Sequence, residues 1–234
     1  MESKLTPSLG VLALDQGPRD PARENEVGSI QNPASIDFPT ITEVPEGSFG
    51  ERVLRGDPAL EPSYIAAARR LVEQGAVAIS SNCGFTIRLQ GAVASSVQVP
   101  VAMSSMLLLP MLLKQLPAPA KIAVLTYDSN YVSEDMIGLS DPQDRARVVV
   151  GGIEGSQFWH DELKMPAPPF DVVGLEKVVS ERVMKLREEH PEIAAILFEC
   201  AVFPAVSPAI RRLTNLPVYD LTLLCRMMLA AIGK

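Results

Sequence analysis

The chain has 234 residues, of which 47% are apolar and 21% charged, and a formal net charge of −7. That composition is too apolar for a disordered chain, and a negative balance without a basic cluster argues against a nucleic-acid surface. The longest apolar stretch, 103–113, is too short to span a bilayer and contains Pro110, no basic-plus-apolar leader is visible, and three cysteines make no disulfide framework. The expectation is a cytoplasmic protein with reduced thiols and no membrane partner.

Taken in order, residues 9–15 (LGVLALD) read as a buried strand, followed by a polar stretch at 16–32. A loop of that length after a first strand is a candidate pocket wall, because open α/β sheets bind ligands beyond the carboxyl ends of their strands. Residues 40–44 alternate as a second strand, and 45–56 read as another loop. Asp57 or Ser63 can cap a helix that runs to Gly75, with Ile65, Ala68, Leu71 and Val72 as its apolar stripe. A strand at 76–80 leads to Cys83, then come a helix at 85–96, a short strand VPVAM and a helix at 104–116. The PAPA run at 117–120 is a stiff linker and a lobe boundary.

The second half opens as the first does. KIAVLT (121–126) is a strand, a helix capped by Ser129 or Ser133 lies near 131–138, and RVVVGG (147–152) is a strand. Residues 152–169 form a loop with one helical turn, and 171–189 an amphipathic helix bearing Val172, Leu175, Val179, Val183 and Leu186. IAAILF leads to Cys200, followed by a helix at 207–213, the strand PVYD and a last helix to 232. Strands alternating with helices predict two α/β lobes, each with a parallel sheet.

The halves share more than a pattern. Cys83 and Cys200 lie 117 positions apart, as do Pro100-Val101 and Pro217-Val218, Ala78-Ile79 and Ala195-Ile196, and Ala92 and Ala209. A constant offset through a strand, a cysteine, a helix and a second strand is the mark of a duplicated half. Each cysteine then sits past a strand and before a helix, where a helix N-terminus stabilises an anion. Two thiols meeting one ligand suit the inversion of a carbon, one removing a proton and the other returning one. The bland reading, a small apolar core residue, fits Cys225, whose counterpart at the same offset is Leu108. Glu199 tunes the neighbouring thiol or is a salt-bridged strand end, and the salt bridge is the simpler expectation. His160 and His190 have no partner at ligand spacing, so no metal site is expected.

SSNCGF (80–85) and ILFECAVFP (196–204), each followed at a fixed distance by Pro-Val, resemble the two cysteine motifs of the aspartate/glutamate racemase superfamily, which includes hydantoin racemases, arylmalonate decarboxylase and maleate isomerase. The resemblance covers nearly the whole chain. It implies two pseudo-symmetric, doubly wound lobes of about four strands each, at 1–117 and 118–216, with 217–234 completing the first lobe. It also implies a site between them, a small carboxylate-bearing substrate and no cofactor. Carried over by motif, Cys83 and Cys200 are the acid/base pair, and Asn82, Gly84, Phe85, Thr86 and Ala201 bind a carboxylate. Thr126, Tyr127 and Tyr131 join the substrate site. The expected activity is therefore a racemase or epimerase acting next to a carboxylate, with an isomerase, a decarboxylase or a non-catalytic acid-binding protein as alternatives. Where glutamate racemases carry a histidine after the second cysteine, Ala201, Val202 and Phe203 stand here. Oligomeric state is left open, a homo-oligomer included.

Overall fold

The computed structural model describes residues 6–17, 27–164 and 168–233. Parts of the polar loop after the first strand and of the 152–169 loop fall on 18–26 and 165–167, outside the described residues. Eight strands form two four-stranded parallel sheets. The first has the order β2-β1-β3-β4 and uses β1 (Ser8–Leu12), β2 (Thr40–Glu43), β3 (Ala76–Ser81) and β4 (Val101–Ala102). The second has the order β6-β5-β7-β8 and uses β5 (Lys121–Thr126), β6 (Val148–Gly152), β7 (Ile193–Phe198) and β8 (Val218–Tyr219). The central strands β1, β3, β5 and β7 are short, largely apolar runs buried on both faces, as parallel sheets covered by helices require. The duplication extends to the register: Ile79 pairs with Val101 and Ser80 with Ala102, while Ile196 pairs with Val218 and Leu197 with Tyr219, the same pairs 117 positions on.

The helices in chain order are α1 (Pro33–Ile36), α2 (Gly50–Arg55), α3 (Glu61–Glu73), α4 (Gln90–Ser96), α5 (Leu109–Gln115), α6 (Glu134–Ile137), α7 (Pro142–Arg145), α8 (Gln157–Glu162), α9 (Val172–Glu189), α10 (Ser207–Thr214) and α11 (Leu221–Ala231). Four differences from the expected elements have local causes. Residues 45–56 are not all loop, because α2 is six residues long and too short to display a periodic stripe. The buried face of α3 is Tyr64, Ala67, Ala68 and Leu71, with Tyr64 rather than Ile65 inward. Asp57 caps a 3-10 turn at Pro58–Leu60 ahead of α3, and Asp128, not Ser129 or Ser133, accepts from the backbone at the Ser129–Tyr131 turn. The helix expected at 85–96 begins as a 3-10 segment, Gly84–Leu89, which turns the residues after Cys83 tightly beneath it.

The lobes exchange their last helices. The 3-10 turn Ser105–Leu108, which leads into α5, packs against β7, and the Ser105 hydroxyl donates to the Phe198 carbonyl at 2.6 Å. Conversely α11 packs against β3 and α1, and its Cys225 thiol meets the Ser80 hydroxyl. Leu108, Leu109, Leu112 and Leu113 thereby join Val124, Ala195, Leu197, Leu221, Leu224 and Cys225 in one apolar core that runs between the sheets. Cys225 is fully buried in it. This shared core fixes the carboxyl ends of β3 and β7 relative to one another, and those are the ends that carry the two remaining cysteines.

Candidate active site

Cys83 follows β3 at the N-cap of the Gly84–Leu89 segment, in extended backbone. Backbone amides of Phe85 and Thr86 donate to its sulfur. Cys200 repeats the arrangement after β7, with the Val202 amide donating to its sulfur. Both thiols are partly accessible and line one cavity of about 150 Å³.

The two motifs interlock through Gly84. A Cβ there would overlap the Glu199 carbonyl oxygen and carboxylate, so a glycine is required where the first cysteine loop lies against the second. A second close approach holds the wall above: Gly28, at φ 88, lies against the Pro204–Ala205 backbone, and its carbonyl accepts from the Thr222 hydroxyl at 3.2 Å. Ser29, Ile30 and Gln31 are thereby held on the cavity wall.

Glu199 is fully buried and, among the described residues, makes no salt bridge, contrary to the simpler sequence expectation. Its Oε2 accepts from the Thr126 hydroxyl at 2.7 Å, and the Tyr127 amide also donates to the carboxyl group. Burial outweighs these donors and the Arg88 charge, raising the Glu199 pKa to about 7. Its Oε1 and the Tyr64 hydroxyl are, among the described residues, the buried side-chain oxygens without a hydrogen-bond partner, and both groups act electrostatically on Cys83 or feel its charge. Unsatisfied polar atoms in a native interior concentrate where chemistry is done.

The thiols respond to the same surroundings. Burial first, and then Glu199, push Cys83 up to about 12, against the lowering by the two amides and Arg88. Burial and Glu199 likewise push Cys200 well above the ordinary thiol range. Helix N-terminal donors alone therefore do not ionise these cysteines, and both remain neutral thiols at pH 7.

A stability prediction follows from Glu199. Its folded pKa of about 7 lies above the ordinary 4.5, so its contribution is full below pH 4.5 and lost as pH rises through 7. The loss amounts to about 3 kcal/mol. Glu199→Gln removes that dependence, so its melting temperature relative to the native chain rises between pH 5 and pH 8. Thermal melts that run parallel over that range contradict the assignment.

Of the residues predicted for the site, Asn82, Cys83, Gly84, Phe85, Tyr127, Cys200 and Ala201 line the cavity. Asn82 braces it, accepting from the Leu14 amide at 2.9 Å and donating to Gln31 Oε1 at 3.0 Å. Three lie behind the wall. The Thr86 hydroxyl donates to the carbonyls of Cys83 and Met103, at 2.6 and 3.1 Å. Thr126 holds Glu199, and the Tyr131 carbonyl accepts from Arg88 at 2.5 Å. Sequence reasoning did not single out the wall residues Gln31, Glu162 and Phe170, although it marked the loop that carries Gln31 as a pocket wall, and it weighed Glu199 as tuning the thiol but preferred a salt bridge. Glu199 alone carried a signal, as a charge closing an otherwise apolar strand; Gln31 and Phe170 come from loops without periodicity, and Glu162 ends the six-residue α8, too short to show any. Among the described residues no cluster of His, Cys, Asp and Glu could hold a metal ion, and no helix is long and apolar enough to cross a membrane.

No protein-family model matches the chain. A dimethylsulfoniopropionate lyase of Durusdinium sp. clade D is 31% identical over 224 residues, 91% of this chain and 71% of the relative. Dimethylsulfoniopropionate lyase 7 of Emiliania huxleyi (strain CCMP1516) is 30% identical over 237 residues, 97% of this chain and 67% of the relative. The chain belongs to the dimethylsulfoniopropionate lyase family. It spans 60% of another relative, dimethylsulfoniopropionate lyase 3 of the same alga, at 31% identity. The fold is that of the Asp/Glu racemase superfamily. An allantoin racemase from Klebsiella pneumoniae superposes with a TM-score of 0.64 at 14% identity, covering 97% of this chain and 89% of its own. A glutamate racemase from Francisella tularensis superposes with a TM-score of 0.56 at 13% identity, covering 97% and 81%. The fold class and the two-lobe architecture are as the cysteine motifs implied. The expected racemase activity, and with it the isomerase class, is overturned: the sequence relatives of this chain are lyases, and its likeness to racemases is one of fold. Two cysteine motifs at strand ends mark a site architecture that several chemistries share, which is why the motifs led to the fold and to the wrong reaction.

Proposed function

We propose that the chain is a lyase that cleaves dimethylsulfoniopropionate by β-elimination, with a cavity thiol as the base. The observation that carries this reading is the lyase identity of relatives 30% to 31% identical over at least nine-tenths of the chain. In the reaction a thiolate takes a proton from the carbon next to the carboxylate. The C–H electron pair forms the new double bond, the carbon–sulfur pair leaves with sulfur, and the products are acrylate and dimethyl sulfide. The leaving group is neutral, so no acid is needed to protonate it. The thiol then returns its proton to solvent. With Cys200 as the base, Cys83 and the amides around it face the carboxylate end, where charge builds as the proton departs.

The cavity's charge favours this substrate over the diacids handled by other chemistries of the fold. Among the described residues lining it, the ionisable carboxyl groups are Glu162 and Glu199, the second only partly ionised near neutral pH because burial raises it to about 7, with no Lys, Arg or His. A malonate or maleate brings two negative charges to such walls, whereas a sulfonium acid brings one of each sign. The cation also answers the high thiol pKa, since an opposite charge within a few ångströms lowers a thiol by about one to three units. In a substrate panel the purified protein is expected to release dimethyl sulfide from dimethylsulfoniopropionate and to leave arylmalonates and maleate unchanged. Turnover of a diacid without dimethyl sulfide release rejects the proposal.

A further inference from the structure

We infer that Tyr127, Phe170 and Glu162 form a subsite for a small trialkyl onium cation on the Cys200 side of the cavity. This deepens the lyase reading, since it names the part of the site that holds the sulfonium group. The three residues come from separate segments of the second lobe: the end of β5, the last turn of α8 and the chain just before α9. All three line the cavity.

The aromatic rings are braced from outside. Tyr127 stacks on Trp159 with ring centres 6.1 Å apart and planes at 24°, and its hydroxyl donates to the Trp159 carbonyl at 2.6 Å. Trp159 is itself fixed through Nε1, which donates to Asp128 at 3.2 Å. Phe170 meets Phe158 edge to face at 5.7 Å, and Phe158 is buried in the second-lobe core. Rings held in this way cannot swing aside, so their surfaces form a fixed wall. Phe85 also lines the cavity, but Arg88 already sits over its ring at 5.7 Å, which leaves it unsuited to a second cation. Glu162 lies close enough to Cys200 and Tyr127 for its charge to raise the proton affinity of both. An onium ion placed there offsets that charge, and its methyl groups rest on the two rings. Aromatic faces beside a carboxylate are the surroundings in which alkylated cations are recognised. The same charge balance makes formation of the Cys200 thiolate depend on the bound cation.

The test uses two isosteric ligands and no turnover: trimethylammonio-propionate and its uncharged tert-butyl counterpart, titrated calorimetrically into the purified protein. The native chain is expected to bind the ammonium compound at least about tenfold more tightly. Glu162→Gln and Phe170→Ala are each expected to remove most of that preference by weakening the ammonium compound, with affinity for the tert-butyl compound changing less than about threefold. Both side chains are partly exposed, and thermal melts establish that the variants remain folded. Equal affinities in the native chain, or a preference that survives in both folded variants, overturn the inference. A protein that prefers the cation but releases no dimethyl sulfide from dimethylsulfoniopropionate retains the subsite and rejects the lyase reading. Release without any preference does the reverse.

Discussion

Cys200→Ser lowers the rate of dimethyl sulfide release by about a thousandfold, within the range lost when a positioned base is removed, and Cys83→Ser, at the thiol that faces the carboxylate, lowers it by about a hundredfold. Serine keeps the amide contacts from Phe85 and Thr86, or from Val202, so folding is preserved and the loss is chemical. A hydroxyl is a far weaker acid than a thiol, and the bound cation cannot bring it into the range of a base. Cys225→Ser is the control. That cysteine is buried in the core between the sheets and touches no part of the cavity, so the rate stays within a few-fold while stability falls by about 1 kcal/mol. The rates are read from initial velocities at saturating substrate, with circular dichroism to verify folding. A Cys83 and a Cys200 variant that both retain the native rate remove the thiols from the mechanism.

Gly84→Ala has the second large effect, and it acts through geometry. The added methyl meets the carbonyl oxygen and the carboxylate Oε1 of Glu199, whose backbone is tied by its amide donating to the Leu125 carbonyl at 2.9 Å and whose carboxyl group is held through Oε2 by Thr126. The loop bearing Cys83 must lift. Overpacking of this kind costs about 3 kcal/mol, and a displacement near 1 Å at a reacting group lowers a rate by roughly a hundredfold. Gly91→Ala provides the contrast, since a Cβ at that position in α4 meets nothing within 4 Å. Helix propensity then predicts a gain of about 0.5–1 kcal/mol with the rate unchanged. Thermal melts and rates of the two variants separate the cases, and a Gly84→Ala protein as stable and active as the native one contradicts the interlocked loops.

Much of the architecture was written in local pattern. The run AVAIS and the run IAAILF are too apolar and too short to be anything but buried strands, and the constant offset between the halves reappears as identical strand register. The elements that sequence misjudged are those without a period. α2 is too brief to show a stripe, Glu162 reaches the cavity from the end of the equally short α8, and Phe170 from a loop whose course is set by packing. Glu199 was visible as an anomaly, but its partner was not, because Thr126 is 73 positions away and only the β5–β7 pairing brings the two together. The reaction was least legible of all. A thiol pair at two strand ends fits proton transfer to many carbon acids, and what separates a sulfonium acid from a diacid is the sign of the charges on the walls, contributed by residues far apart in the chain.

Incubation of the purified protein with dimethylsulfoniopropionate, with dimethyl sulfide measured in the headspace and acrylate in solution, tests the central claim most directly. β-Elimination in this cavity predicts the two products in equal amounts from the native chain, with a rate about a thousandfold lower from Cys200→Ser and about a hundredfold lower from Cys83→Ser. Dimethyl sulfide without acrylate, or equal release from both thiol variants and the native chain, contradicts it.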